Sequence, residues 1–338
     1  MQRTVLNRIT AAARSGFRRY PRHLLHSVRD LSIFARSTHS SPPLFNVHGS
    51  HPLPAEQSPP PHPILGNFNT GSDDLSAIWI GHATVLLRIA GQTILTDPVF
   101  SNRIGVSLGR HTFGISRLAP PAVDPASLPP IDAVLLSHAH FDHLDKPSLL
   151  RLVNPRTTVI TAPRTKGLIP HGFRSVVELP WEGRFRLGEI EITAMQPAHW
   201  GARTALDRRR GFNSYLLDSS GSTAFPPHRV LFAGDTAHTD SLDAAGGGAL
   251  DLAIFGIGAY DPWENAHATP EQVWSMFTRL NQHGAAHLLP MHHSTFELSD
   301  EHRDEPMKRL LDAAGNEALR VVCRQIGQFW NMNGTPRS

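Results

Sequence analysis

Residues Val134 to Asp145 read VLLSHAHFDHLD, an apolar run that ends on His138, His140, Asp142 and His143 within six positions. The preceding DAVLLS is a short aliphatic segment of the kind that forms a strand buried on both faces, so these four residues leave a strand end as a loop. Strand ends are where α/β folds place their chemistry. Imidazole nitrogen and carboxylate oxygen are donors that zinc and similar borderline metals accept. One such loop over-supplies a single tetrahedral ion once further donors arrive, whereas two adjacent ions would use them all.

Further donors sit at comparable places. IEITAMQPAHW delivers His199, RVLFAGDT delivers Asp235, and AAHLLPMHH delivers His292 or His293, each just past an apolar run. With 21 histidines in 338 residues, any one of these alone is matched by a surface histidine or a loop-capping aspartate. The ordered set is much harder to produce by chance. Asp97 in LTDP reads equally as a partner for a ligand histidine or as a turn cap. His82 in GHAT reads as a buried, satisfied histidine ahead of a supporting role, and His238 as a surface residue.

Around the cluster, 40% hydrophobic and 18% charged residues describe a globular chain with one catalytic domain, residues 74–332. The single cysteine, Cys323, excludes a disulfide framework and a Cys-based zinc knuckle. No run approaches the ~20 apolar residues of a spanning helix. The formal charge of +3 is unevenly placed: a basic tail, residues 1–39, carries Arg3, Arg8, Arg14, Arg18, Arg19, Arg22 and Arg29 with no acid before Asp30. Three readings fit it: an amphipathic helix on anionic lipid, a mitochondrial targeting sequence, or a flexible extension. The expectation is a cytoplasmic protein with peripheral membrane contact through this tail, with mitochondrial targeting as the alternative. Without aromatic interleaving among these arginines, no nucleic-acid partner is expected. Residues 40–73, rich in Pro, Ser, Gly and Asn, read as a linker or surface wrap without its own core. A chain starting near Ser72 is therefore expected to keep metal content and turnover.

AIWIGHATVLLRIAGQTILTDP reads as strands broken at Ala90-Gly91-Gln92, and TTVITA, IEITAM, RVLFAG and LAIFGI as further short strands. In TPEQVWSMFTRLNQ, Thr269 can cap a helix, Pro270 suits its first turn and Gln272 completes a capping box, with Val273, Met276, Phe277 and Leu280 on one face. A second helix is expected over Pro306 to Ala314, with Met307, Leu310 and Leu311 inward. Strands and helices intermixed in this way predict a layered α/β fold.

The same residues resemble the metallo-β-lactamase superfamily, and within it the branch of N-acylphosphatidylethanolamine-hydrolysing phospholipase D and the ascorbate-phosphate lactonase-like proteins. The resemblance spans about Ile78 to Glu305 and rests on WIGHATVLL, ILTDPVFSNRIG, SHAHFDHLD, HWGARTALDRRRGFNSYLL, AGDTAHTD, IGAYDPWENAHATPEQ and MHHSTFELSDE. It implies an αββα sandwich with the site along one edge of its two sheets. It also implies that His138, His140 and His199 hold one zinc ion, that Asp142, His143 and His292 hold a second, and that Asp235 bridges them. His292 is preferred to His293 because HHSTF is similar to the family's H-x-G-T-F, whose first histidine is the ligand; His293 and Ser294 depart from that pattern. His267 matches a histidine beside the substrate in the phospholipase relatives, and could equally belong to the cap of the following helix.

Two divalent ions about 3.5 to 4 Å apart can bind a bridging water, lower its pKa towards ~7 and polarise the group that it attacks. No protein nucleophile is then needed, and the chain offers none: it has no G-x-S-x-G elbow, and Gly246 to Gly248 lack the strand and Lys-Ser/Thr of a phosphate loop. Asp142 and Asp235 are the expected proton-handling groups. The branch resemblance implies a phospholipid or related phosphodiester substrate; a lactone or other small ester is the alternative, followed by a non-catalytic metal-binding protein of the same fold.

Overall fold

The computed structural model describes residues 65, 66, 68, 75–108, 111–204 and 207–332. The basic tail 1–39 and most of the linker 40–73 lie outside them. Two sheets carry the domain. The first contains β1 (Leu75–Gly81), β2 (Thr84–Ile89), β3 (Gln92–Thr96), β6 (Ala133–Leu136), β7 (Thr158–Thr161), β8 (Ser175–Glu178) and β15 (Phe329–Asn331), in the order β15-β1-β2-β3-β6-β7-β8. The second contains β9 (Arg184–Leu187), β10 (Ile190–Met195), β11 (Ser214–Asp218), β12 (Arg229–Phe232), β13 (Leu252–Gly256) and β14 (His287–Met291), in the order β14-β13-β12-β11-β10-β9. A separate two-stranded ribbon pairs β4 (Arg103–Leu108) with β5 (His111–Ser116).

The side-chain period of two explains the layers. Along β1, Ala77 and Trp79 face the second sheet and share a core with Ile192, Tyr215, Phe232 and Ile254. Ile78 and Ile80 face the other way, packing with Leu86, Val134 and Val159 under Leu144 and Leu149. Leu149 belongs to α1 (Lys146–Arg151), whose N-cap Asp145 accepts from Ser148 N. Leu65 and Phe68, inside the segment read as linker, are buried in this outer layer, so its last part wraps onto the sheet. The outer face of the second sheet is covered by α2 (Pro270–Leu280) and α3 (Glu305–Ala314), through Val273, Met276, Phe277, Leu280 and Leu310 on Leu231, Ala253 and Phe255. Thr269 and Gln272 form the expected capping box, and Met307 and Leu311 pack half-buried against the same cluster. The result is the αββα sandwich.

Strand directions decide where the chemistry can go. β3, β6, β7 and β8 are mutually parallel, and β1 runs with them because two antiparallel pairings separate it from β3. β12, β13 and β14 are parallel, and β10 joins them by the same argument through β11. The residues that follow β1, β3, β6, β10, β12 and β14 therefore leave at the C-terminal ends of like-directed strands. One sequence reading needs correction: the first apolar stretch breaks at His82–Ala83 as well as at Ala90–Gly91, because His82 adopts a left-handed backbone with φ 52° and ends β1.

Candidate metal centre

Six strand ends converge on one buried cluster. The loop after β6 supplies His138, His140, Asp142 and His143; His199 follows β10, Asp235 follows β12, and His292 follows β14. One group joins His138, His140, His199 and Asp235, and another joins Asp142, His143, His292 and His82, with the donor atoms of each within 4.8 Å of one another. Asp235 lies between them. Its Oδ2 is 3.0 Å from His143 Nε2, 3.3 Å from His292 Nε2, 3.7 Å from His199 Nε2 and 3.8 Å from His138 Nε2. Its Oδ1 is buried without a hydrogen-bond partner.

Hydrogen bonds fix which nitrogen of each ring faces inward. The Ala266 carbonyl, 3.0 Å from His199 Nδ1, can only accept, so Nδ1 carries the hydrogen and Nε2 presents its lone pair. Asp97 Oδ2 does the same for His143, 2.7 Å from Nδ1. Ser137 Oγ donates its one hydrogen to Asp97 Oδ2 at 2.5 Å and so accepts from His138 Nδ1 at 2.8 Å, turning His138 Nε2 inward. That nitrogen then lies 2.8 Å from His140 Nδ1, and His292 Nε2 lies 3.1 Å from His143 Nε2. The donors are the nitrogen and carboxylate set that suits a divalent transition metal, and the unpartnered Asp235 Oδ1 is left for one. The residues present fit divalent ions of that kind.

The electrostatics divide the rings into two sets. Burial holds His138 and His199 well below the ordinary imidazole range and His140 at about 4, which keeps them neutral and able to ligate. Burial also opposes a charge on His143, but Asp235, Asp142 and Asp97 outweigh it and raise this ring well above its ordinary value, and Asp235 and Asp142 likewise raise His292 to about 9, so an ion bound there would displace a proton from each ring. For Asp142 and Asp235 burial again works against charge; the imidazoles, His143 first, prevail and keep both carboxylates ionised.

The remaining candidates now have places. Asp97, in the left-handed region at φ 30°, is fully buried and bonds Ser137 N, Ser137 Oγ and His143, so it orients the cluster. His82 corrects the sequence reading, which favoured a satisfied core histidine. Its Nε2 is 3.0 Å from Asp142 Oδ2, its ring centroid lies 4.1 Å from that of His292, and its Nδ1 is buried without a partner. The signal was available: AIWIGH and TILTD end apolar runs as the other donors do. His267 stands at the rim, with Nδ1 3.9 Å from Asp235 Oδ2 and its ring stacked 5.3 Å from that of His292. His293 points elsewhere, its ring 4.5 Å from that of Trp79. His238 is exposed, as expected.

Comparison with known proteins matches residues 92–293 to the beta-lactamase superfamily domain. The chain belongs to the metallo-β-lactamase superfamily. An uncharacterized protein of Mycobacterium tuberculosis is 34% identical over 272 residues, covering 78% of this chain and 70% of that one. The N-acyl-phosphatidylethanolamine-hydrolyzing phospholipase D 1 of Caenorhabditis elegans is 27% identical, with 80% of each chain covered. Among solved structures, a possible metal-dependent hydrolase from Veillonella parvula superposes with a TM-score of 0.60 at 16% identity, over 77% of this chain and all of the other. These relatives place the chain among the metal-dependent hydrolases of the superfamily, in a group that includes the phospholipase D branch.

Proposed function

We propose that this chain is a dinuclear zinc-dependent phosphodiesterase of the N-acylphosphatidylethanolamine phospholipase D type. The observation that carries the reading is Asp235, whose Oδ2 lies within 3.8 Å of ring nitrogens from both donor groups and is thus disposed to serve two ions. His138, His140 and His199 would hold one ion and Asp142, His143 and His292 the other. Bound there, such ions would supply Lewis acidity toward a phosphoryl oxygen and would lower the pKa of a nearby water. Asp142 accepts a hydrogen bond from His82 through Oδ2, and its second oxygen would be the acceptor for a proton from an attacking water. His267, half-buried at the rim, stands where it can hydrogen-bond the leaving oxygen. Asp97, Ser137 and Ala266 hold the rings so that little reorganisation is needed on binding.

The phospholipid class is supported by the relatives from C. elegans and from Saccharomyces cerevisiae, the latter 30% identical over 74% of this chain and 54% of its own. The test is turnover by the zinc-loaded chain on matched phosphodiester, lactone and lactam substrates. Phosphodiester cleavage that releases phosphatidic acid and an N-acylethanolamine is expected to be fastest; a preference for the lactone would overturn the phosphodiesterase reading.

A further inference from the structure

We propose that the surface beside the mouth of the metal centre docks on an anionic lipid bilayer, with Arg164, Lys166 and Arg209 at the headgroups and Trp181 and Trp200 at the interface. The patch is continuous with the centre. Trp200 stacks on His199 at 4.6 Å between ring centroids and is 44% exposed. Its neighbour Gly201 lies so close to the next segment that a Cβ there would sit 2.1 Å from Gly211 O and 2.6 Å from Arg210 O. Gly211 N donates to Pro163 O at 2.8 Å, and Arg164 Nη1 donates to Arg209 O at 3.2 Å. Trp181, 41% exposed, donates its Nε1 hydrogen to Phe212 O at 2.8 Å. Two indoles, Arg164 and Arg209 are thus joined into one corner, with Lys166 two residues beyond Arg164.

Cations outnumber acids there, with Arg164, Lys166, Arg208 and Arg209 exposed. Among the described residues no carboxylate lies within ion-pair distance of Arg164, Lys166 or Arg209. Of the nearby acids, Asp207 pairs with Arg210 at 2.5 Å, Glu178 accepts from the backbone of Thr165 and Lys166, and Glu182 is exposed beside Trp181. Exposed tryptophan with a pinned N–H, set among cations, is the side-chain chemistry of a bilayer interface. Single-stranded nucleic acid uses cations and aromatics too. The ribbon on the other flank favours lipid: Ile104 and Ile115 pack with Phe141 of the ligand loop, while the next cross-strand pair on that face, Val106 and Phe113, is 47% and 55% exposed. Exposed aliphatic and phenyl groups have no partner on a phosphate backbone and fit an acyl layer.

This docking stands apart from which bond is cleaved, and the test keeps the two separate. The full chain, Lys166→Glu/Arg209→Glu and Trp181→Ala are sedimented with phosphatidylcholine vesicles with and without phosphatidylglycerol; the basic tail is common to all three. Metal content and turnover of a soluble short-chain phosphodiester, expected unchanged, report folding. The charge-reversed pair should partition at least about tenfold less onto anionic vesicles, an effect that salt erases, and Trp181→Ala should weaken binding to the same vesicles. Unchanged partition in the folded charge-reversed pair would overturn the proposal. So would loss of single-stranded RNA binding in that pair with vesicle binding intact. Vesicle loss alongside intact turnover supports the docking surface whatever the preferred substrate.

Discussion

His82 joins the donor group of Asp142, His143 and His292 and also bonds Asp142 directly. A residue that orients a ligand typically changes metal affinity by about 10- to 100-fold when it is removed. His82→Phe keeps a ring of similar size against Phe296, whose centroid lies 5.1 Å away, and deletes the 3.0 Å contact to Asp142. It should weaken metal binding within that range, read by competition with a chelating dye, while leaving the circular dichroism of the folded chain unchanged. Asp142→Asn goes further: the amide oxygen is a poorer donor and accepts no proton at neutral pH. Turnover should fall by at least about a hundredfold, the usual worth of a proton-transfer group. Near wild-type turnover would remove Asp142 from the chemistry.

At the scale of elements, the capping box of α2 connects stability to the rim of the centre. Thr269 Oγ1 accepts from Gln272 N, and two residues before it His267 stands beside Asp235. Thr269→Ala should cost about 1 kcal/mol, measured by denaturant unfolding, since a buried helix start loses one N–H partner. This helix was legible because its start, face and period agree in the sequence. The aliphatic strands around the centre were legible for a similar reason, and the donors after them by their common position at strand ends. Other elements were not. β8 and β9 are edge strands of exposed or half-buried residues, so SVVE and RFRL carry little apolar signal. The β4–β5 ribbon is interrupted by Gly105 and Gly114, which face each other where a Cβ on Gly105 would meet Phe113 O at 2.1 Å. α1 spans six residues and opens on Lys146-Pro147, too short for a periodic face. His82 and Asp97 obeyed the strand-end rule, but each also fits a common bland role, and only the fold separates the two.

For the molecule as a whole, the burial of Leu65 and Phe68 moves the boundary of the folded unit. A chain beginning at Ser72 retains every proposed ligand yet uncovers the outer core over β1 and β6, at about 1.5 to 3 kcal/mol for each lost side chain. It should melt well below a chain beginning near residue 60, and equal melting temperatures would refute this boundary. The ligand sphere carries a different consequence. Asp142 and His292, 150 positions apart, approach within 3.2 Å, one from each sheet, while the one cysteine of the chain is buried and free. With no disulfide available, bound ions would act as the cross-link of this fold, fastening one half of the sandwich to the other. A cross-link held by mass action is reversible: at a free-ion concentration a thousandfold above its dissociation constant it contributes about 4 kcal/mol, and in chelator it contributes nothing. The melting temperature should therefore fall on chelation and return on adding zinc, so that the supply of metal governs how long each molecule survives as well as how fast it works.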